Sequence, residues 1–243
     1  MPLNPAKYEP LVRGAVAHYW KTLARQSAKK SKSPQQGGRR GAVLGGKQMY
    51  GFCKLVKEVL VDSGMKDAEV FLDEKLELPG FFRATKNWDM LVVSRDRLVA
   101  AMEFKSQCGS FGNNFNNRSE ETIGIATDIW TAFREGAFGK EVPRPWLGWV
   151  MLLEDSPKSM RPVRVAEPHF EVFPEFREAS YAKRYQLLLQ KLLKERLYEG
   201  AAFLMSTAKG GQRGEFSEPS HDLTMRTFLA GLAGQVGVHL ANR

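Results

Sequence analysis

The sequence predicts an α/β protein with a mixed β-sheet and helices on both of its faces. Three observations lead to this fold class: hairpin-like apolar strands come early, a strand–helix–strand crossover follows, and one continuous apolar run is typical of a strand covered on both sides. The 243 residues, 43% of them hydrophobic, suffice for one sizeable core. We expect a single domain, divided into a basic N-terminal helix and mobile arm (1–46) and a core with a C-terminal helical elaboration (47–243).

Two helices are predicted in the first quarter of the chain, on either side of a basic segment. Apolar residues recur every four positions over 10–27, at Leu11, Ala15, Tyr19 and Leu23. The stretch SAKKSKSPQQGGRRGAVLGG is rich in Ser, Gly, Lys and Arg, which predicts a mobile loop. A second helix is predicted over 47–62, with Gly64 beyond its end.

The remaining elements follow from the alternation of apolar and polar residues. Strands are predicted over 68–78, 88–94, 97–105, 145–154 and 200–206. Residues 106–118 are predicted to form a polar loop, and Asn117 with Glu120 resembles a capping box that starts a helix ending near Gly136. Further helices are predicted over 176–198 and 222–235.

The charge distribution favours a polyanionic partner such as DNA. The net charge is +9, and residues 1–47 hold ten bases against one acid, Glu9, so the other 196 residues are close to neutral. The sequence has no apolar run long enough for a membrane span and no signal-peptide core, so we expect a cytoplasmic protein without a membrane partner. Two cysteines, expected to be reduced and packed in the core, are too few for a disulfide framework, and four scattered histidines argue against zinc.

Charged residues occupy two apolar strand patterns within 87–107, NWDMLVVSRDRLVAAMEFKSQ. Asp89 opens the first strand, while Glu103 and Lys105 end the second and share one face of it. Ionised side chains at such positions need a charged partner, water or a metal. A similar triplet, Asp73-Glu74-Lys75, lacks an acid on an adjacent apolar strand, so the short pattern alone is weak.

The register of this hairpin decides whether the two acids meet. A two-residue turn at Arg95–Asp96 pairs 89 with 102 and places the acids on opposite faces, whereas an odd-length turn or a bulge pairs 89 with 103. The apolar pattern leaves both registers open. If the acids converge, they suit Mg²⁺, which takes carboxylate, water and phosphate oxygens. Lys105 could then stabilise the phosphate transition state or hold the attacking water as hydroxide.

Side chains suited to DNA contact surround this hairpin. The segment SQCGSFGNNFNNRSEE follows the second strand directly, and asparagine and arginine can read adenine and guanine edges. We expect base contacts there and phosphate contacts from the basic segment. The DNA-binding candidates are Asn113, Asn114, Asn116, Asn117, Arg118, Lys29, Lys30, Arg39, Arg40 and Lys47.

Asp89, Glu103 and Lys105, followed by SQCGSFGNNFNNRSEE, resemble the PD-(D/E)xK nucleases, and more narrowly the chain resembles the XhoI family of type II restriction endonucleases. The likeness covers nearly the whole chain, and the continuation KSQ…FGNNFNNR makes the narrower match. Trp88 stands where the superfamily usually has a proline, which many members also lack.

The resemblance implies a PD-(D/E)xK nuclease-like core with Asp89 and Glu103 as Mg²⁺ ligands and Lys105 as the third catalytic residue. It also implies a homodimer that cuts double-stranded DNA at a palindrome, CTCGAG in this family, leaves 5′-phosphates and operates beside a cognate DNA methyltransferase. Two alternatives stay open: a structure-specific repair nuclease or resolvase with the same core, and a non-catalytic DNA-binding protein in which the three residues form a structural ion cluster.

Overall fold

The computed structural model describes residues 4–32 and 48–242. The helices of these residues are α1 (Pro5–Lys32), α2 (Tyr50–Asp62), α3 (Phe111–Arg134), α4 (Pro157–Met160), α5 (Tyr181–Lys194), α6 (Ala208–Gly211) and α7 (Met225–Ala241). The strands are β1 (Val70–Phe71), β2 (Glu77–Pro79), β3 (Thr85–Asn87), β4 (Met90–Ser94), β5 (Arg97–Gln107), β6 (Trp146–Glu154) and β7 (Gly200–Ser206).

The central sheet is mixed, in the order β1-β4-β5-β6-β7. β1, β4 and β5 are antiparallel neighbours, whereas β5, β6 and β7 run parallel. Strands β2 and β3 form a separate antiparallel hairpin. Helix α3 connects β5 to β6 and α5 precedes β7, which gives the crossover connections that parallel strands require.

Two buried clusters cover the two faces of the sheet. On β5, for example, Met102 and Phe104 belong to one cluster and Ala101 to the other, as the alternation of a strand requires. Helices α1, α2 and α7 contribute to the first cluster, and α3 and α5 to the second. The predicted α/β class, with a mixed sheet between helices, is confirmed. Glu103 and Lys105 lie on the face of α3 and α5.

Helix α1 packs into the first cluster with the sheet rather than standing apart from it. Val16 and Tyr19 are almost fully buried there, and Trp20 donates its indole N–H to the Ser206 hydroxyl of β7 over 2.8 Å. The division at residue 46 remains a prediction. The predicted mobile arm falls on residues 33–47, which lie outside the described residues.

The start of α3 differs most from expectation. The segment 106–118 was expected to be a loop, with a helix from Asn117, but α3 begins at Phe111. Phe111 is buried and stacks on Tyr181 of α5 at 6.1 Å between ring centroids, and Phe115 meets Tyr185 edge-on at 5.1 Å. These aromatic contacts with α5 outweigh the poor helix propensity of glycine and asparagine.

Three smaller expectations are also wrong. The single strand expected over 68–78 is broken into β1 and β2, because Lys75 adopts a left-handed backbone conformation with φ of 57°. The helix expected from 176 begins only at Tyr181, where the Ser180 hydroxyl accepts from the backbone N–H of Lys183. Cys53 is buried as expected, but Cys108 is exposed.

The strands predicted over 145–154 and 200–206 agree with β6 and β7 to within a residue. Both are buried along nearly their whole length, which explains their continuous apolar patterns. Within the two described stretches of the chain, no helix combines the length and apolarity needed to cross a membrane.

Candidate active site

A β-bulge between β4 and β5 sets the register of the central hairpin. Ser94 pairs with Arg97 across a two-residue turn, whose Arg95 and Asp96 both have positive φ, and Val93 pairs with Leu98. The register then shifts, so that Val92 pairs with Ala100 and Met90 with Met102.

The shift leaves Val99 as the extra residue of β5 and places Asp89 opposite Glu103. This is one of the two arrangements in which the acids share a face. The bulge that the hypothesis required is therefore present.

Asp89, Glu103 and Lys105 form one connected cluster. The Lys105 ammonium lies 3.3 Å from Asp89 Oδ2 and also pairs with Glu103 Oε2, so both carboxylates meet the same cation. The backbone N–H of Phe104 donates to Asp89 Oδ2 over 2.8 Å, which fixes that carboxylate against β5. Glu103 is 1% exposed whereas a third of Asp89 meets solvent, so the cluster has a buried end and an open end.

Lys86 is a second lysine of the cluster, and the sequence analysis missed it. Its ammonium pairs with Glu103 Oε1, donates to the Asn87 carbonyl over 2.8 Å and lies 4.4 Å from the ring centroid of Trp88. Lys86 reaches the cluster from β3, outside the central hairpin. Residues 85–88 (TKNW) have no apolar alternation that would predict a strand. The role of Lys86 follows only from the position of β3 in the folded chain.

The electrostatics of the cluster follow from burial and from these pairs. Burial raises the pKa of Glu103, and the negative charge of Asp89 raises it further, against the opposing effects of Lys105 and Lys86. Burial alone would lower the pKa of Lys105, but Glu103 and Asp89 outweigh it and leave the pKa above its ordinary value. Lys105 is therefore a cation in this state.

The cluster lies in an open cleft of about 550 Å³. β3 and the preceding Arg83 form one wall, Glu103 and Lys105 lie at its base, and Glu120, Glu121 and Gly124 of α3 form the other wall. The cleft thus places Glu103, Lys86 and Lys105 next to a space that admits a phosphodiester, and Asp89 is joined to them through its ion pair with Lys105. Across the described residues, no group of three or more His, Cys, Asp or Glu side chains forms a metal site.

The asparagine-rich segment continues the α3 wall. At 100° per residue, Asn113 and Asn117 share a helix face with Glu120 and Gly124 of the cleft, and Asn116 lies at the edge of that face; all three asparagines are exposed. Asn114 and Arg118 lie on the side of the cleft-lining Glu121 and Ile125, and both have partners of their own. Asn114 donates to the Ser110 carbonyl over 2.9 Å, and Arg118 pairs with Glu121 at 2.7 Å.

The side chains of the basic candidates fall outside the described part of the structure. Lys29 and Lys30 lie in the last turns of α1, whose buried side chains pack against the opposite face of the sheet. Arg39, Arg40 and Lys47 lie outside the described part of the chain. Their contacts with phosphate remain predictions.

Comparisons with known proteins place this chain in a family. A family model described as restriction endonuclease XhoI matches residues 26–218. The chain is 54% identical over 218 residues to the type II restriction enzyme BstVI of Geobacillus stearothermophilus, covering 87% of this chain and 97% of the relative. It is 48% identical over 197 residues to the type II restriction enzyme XhoI of Xanthomonas vasicola, covering 79% and 78%.

A third relative, the type II restriction enzyme AbrI of Azospirillum brasilense, is 51% identical over 174 residues, which are 70% of this chain and 77% of the relative. No solved structure matches the chain. The relatives share a class, that of enzymes which cut DNA at specific sites. The chain belongs to the XhoI family of restriction endonucleases, and it is accordingly a site-specific deoxyribonuclease. Membership favours this activity over a repair nuclease or a non-catalytic DNA-binding protein.

Proposed function

We propose that this enzyme hydrolyses phosphodiester bonds of double-stranded DNA in the cleft between β3 and α3, with Mg²⁺ as its cofactor and 5′-phosphate ends as its products. The observation that carries the proposal is the bulge of β5, which brings Asp89, Glu103 and Lys105 to one face. A PD-(D/E)xK nuclease-like core accounts for this arrangement. Without the bulge, the same three residues could not act on one phosphate.

The donor set fits Mg²⁺. Two carboxylates that converge from neighbouring strands supply hard oxygen ligands, and Mg²⁺ commonly takes one or two carboxylates and completes its shell with water and phosphate. The buried Glu103 also needs a cation nearby, a need that Lys86 and Lys105 now meet. Asp89 and Glu103 would hold the ion, which supplies Lewis-acid polarisation of the scissile phosphate and a lowered pKa of bound water.

The protein's own groups position and stabilise the reacting atoms. The Lys105 ammonium would donate to a phosphate oxygen as negative charge grows, or orient the attacking water. Water adds to phosphorus as the 3′-oxygen leaves, so the phosphate stays on the 5′-oxygen of the downstream nucleotide. Lys86 would hold Glu103 in place from the β3 wall.

We further propose recognition of a palindrome by a homodimer, because two identical clefts related by a two-fold axis each meet one strand of a symmetric site. The sequence CTCGAG is taken from the family resemblance. Asn113, Asn114, Asn116, Asn117 and Arg118 are proposed near base edges, and the basic residues of 21–47 near phosphates. A cognate methyltransferase would protect host DNA, and the cytoplasm is the proposed location.

Digestion of unmethylated phage DNA tests these proposals together. Purified protein is incubated with the DNA in Mg²⁺ and in EDTA, and the fragment ends are sequenced and checked for ligation, which requires 5′-phosphates. Discrete fragments in Mg²⁺ alone, with ends inside CTCGAG, are expected. Fragments in EDTA would contradict the metal requirement, ends at another sequence would contradict the proposed site, and a monomer by sedimentation on a cognate duplex would contradict the homodimer.

A further inference from the structure

The loop between β2 and β3 carries two adjacent phenylalanines whose side chains are not packed into the core. Phe81 is 52% exposed and Phe82 is 69% exposed, and their rings meet edge-on at 4.9 Å. Among the described side chains, both rings lie outside the two buried clusters. Single exposed apolar residues are common, whereas adjacent ones at the tip of the β2–β3 hairpin form an apolar patch, the kind of surface that marks contact sites.

This tip is held rigidly by a buried acid. Asp128 of α3, whose side chain is 4% exposed, accepts the backbone N–H groups of Phe81 and Phe82 over 2.8 Å each, and it pairs with Arg83 at 2.6 Å. A Cβ at Gly80 would lie 2.7 Å from Asp128 Oδ2, so only glycine allows this close approach. The bonds to Asp128 fix the backbone of the tip while leaving both rings in solvent, which suits a preformed contact surface.

The tip also borders the cleft. Asp128 lies one helical turn beyond Gly124, and Arg83 lines the cleft directly after the two phenylalanines. Lys86 lies four positions after Phe82, a span of at most roughly 13 Å at about 3.3 Å per residue. At about 3.4 Å per nucleotide, DNA with a phosphate beside Lys86 would bring bases only a few steps away to the tip.

The position of the tip beside the cleft favours DNA over a protein partner, because the cleft is the proposed site of DNA. Residues 78–88 contain Arg83 and Lys86 and no acid, and these two cations are paired with Asp128 and Glu103. In a duplex, apolar side chains such as phenylalanine contact bases by inserting between base steps, and this contact needs no charge of its own.

We propose that the tip of the β2–β3 hairpin is a nucleobase contact, in which Phe81 and Phe82 lie against the bases of DNA bound in the cleft. The proposal rests on the proposed function of that cleft. It assigns the two rings to base contact, Arg83 and Lys86 to the cleft wall, and Asp128 to positioning the tip.

The test measures binding of a fluorescent duplex, carrying the mapped cleavage site, in EDTA over a range of salt concentrations. Phe81→Ala/Phe82→Ala is compared with wild type, with Phe81→Tyr/Phe82→Tyr, which keeps both rings, and with Phe170→Ala. Phe170 is a matched control because it is 88% exposed and distant in sequence from the cleft segments. Thermal unfolding checks that every variant is folded.

We expect the double alanine variant to bind about tenfold more weakly or worse, with an unchanged slope of log affinity against log salt, because the apolar contact with the bases is lost and phosphate contacts are kept. The tyrosine variant and Phe170→Ala should bind like wild type. Wild-type affinity of the double alanine variant, or a reduced salt slope, would overturn the base contact while leaving cleavage intact. Loss of the dimer in that variant would overturn it in favour of a contact between copies. A wild type that neither binds nor cuts DNA would overturn both proposals.

Discussion

At the scale of single residues, Glu103 is the side chain of the site whose charge is most costly to bury. Its carboxylate is almost fully buried, and it is balanced by Lys86 on one oxygen and Lys105 on the other. A buried charge is tolerated only with such partners, and removing one partner costs more than the pair itself contributes. The proposed catalytic cluster should therefore also affect folding.

Lys86→Met should lower the free energy of unfolding by about 1–3 kcal/mol, because it leaves one buried carboxylate oxygen without its partner. Urea unfolding at neutral pH measures the loss. Lys75→Met, an exposed lysine of the similar Asp73-Glu74-Lys75 triplet, is the control and should stay within about 0.5 kcal/mol of wild type.

A double variant separates the charge effect from packing. When Lys86→Met is combined with Glu103→Gln, the loss should be smaller than the sum of the two single losses, because no uncompensated carboxylate remains. Additive losses, or a Lys86→Met protein as stable as wild type, would show that the pair does not balance the buried charge.

At the scale of elements, the attachment of the β2–β3 hairpin to α3 depends on an ionised Asp128. Burial would raise the pKa of Asp128, but the N–H groups of Phe82 and Phe81 and the Arg83 side chain outweigh burial and lower it. A carboxyl with a lowered pKa in the folded state stabilises above its unfolded pKa of about 3.9, and this stabilisation is lost as the pH falls.

Asp128→Asn should accordingly lower the free energy of unfolding by about 1.5–3 kcal/mol at pH 7, since hydrogen bonds to a charged group are weakened. The difference from wild type should shrink as the pH falls below about 4. Urea unfolding of both proteins between pH 7 and pH 3 measures it. A difference that is independent of pH would contradict the role of the charge.

Helix α3 offers a second test at this scale. Asn117 shares the helix face of the cleft, whereas Asn114 donates to the Ser110 carbonyl. Asn117→Ala should reduce discrimination between the cleavage site and sites with one changed base pair by about 1–3 kcal/mol, the cost of a lost paired contact. Asn114→Ala should reduce this discrimination less, because the Asn114 amide already donates to the Ser110 carbonyl. Equal effects of both substitutions, measured as kcat/KM on each duplex, would contradict the assignment of this face.

Several elements could be predicted because their sequence patterns are local. The apolar runs of β6 and β7 predicted strands of the sheet, and the alternation along β5 placed Glu103 and Lys105 on one face. Counting residues across the hairpin showed that Asp89 could face Glu103 only through an odd-length turn or a bulge, and the structure has the bulge. The start of α3 could not be predicted, because it depends on Phe111 and Phe115 packing against α5. Lys86 was missed for a similar reason: only tertiary structure brings the short β3 to Glu103.

At the scale of the whole molecule, α1 packs against the central sheet and so attaches the N-terminal part of the chain to it. Val16, Tyr19 and Trp20 are buried in the same cluster as β4 and β5. Burying one large apolar side chain contributes about 1.5–3 kcal/mol, and a domain is typically stable by only about 5–15 kcal/mol. Loss of α1 would therefore remove much of the free energy of unfolding.

A protein of residues 47–243 should fail to fold cooperatively, because the first cluster loses one of its three helices. Circular dichroism and urea unfolding, beside the full chain, measure this. A sharp unfolding transition of the truncated protein near that of the full chain would contradict this view and support residues 47–243 as a self-sufficient core.

Single-turnover cleavage tests the central claim, that the bulge-aligned residues are the catalytic centre. Wild type, Glu103→Gln and Lys105→Met are mixed in excess with a duplex carrying the mapped site in Mg²⁺, beside Asp73→Asn as the control from the similar triplet. Folding is checked by circular dichroism and DNA binding by anisotropy. We expect the two site variants to bind DNA but to cleave at least about 10²-fold more slowly, the usual cost of losing one transition-state contact, while Asp73→Asn cleaves like wild type. Folded site variants that cleave at the wild-type rate would contradict the account and place the catalytic centre elsewhere.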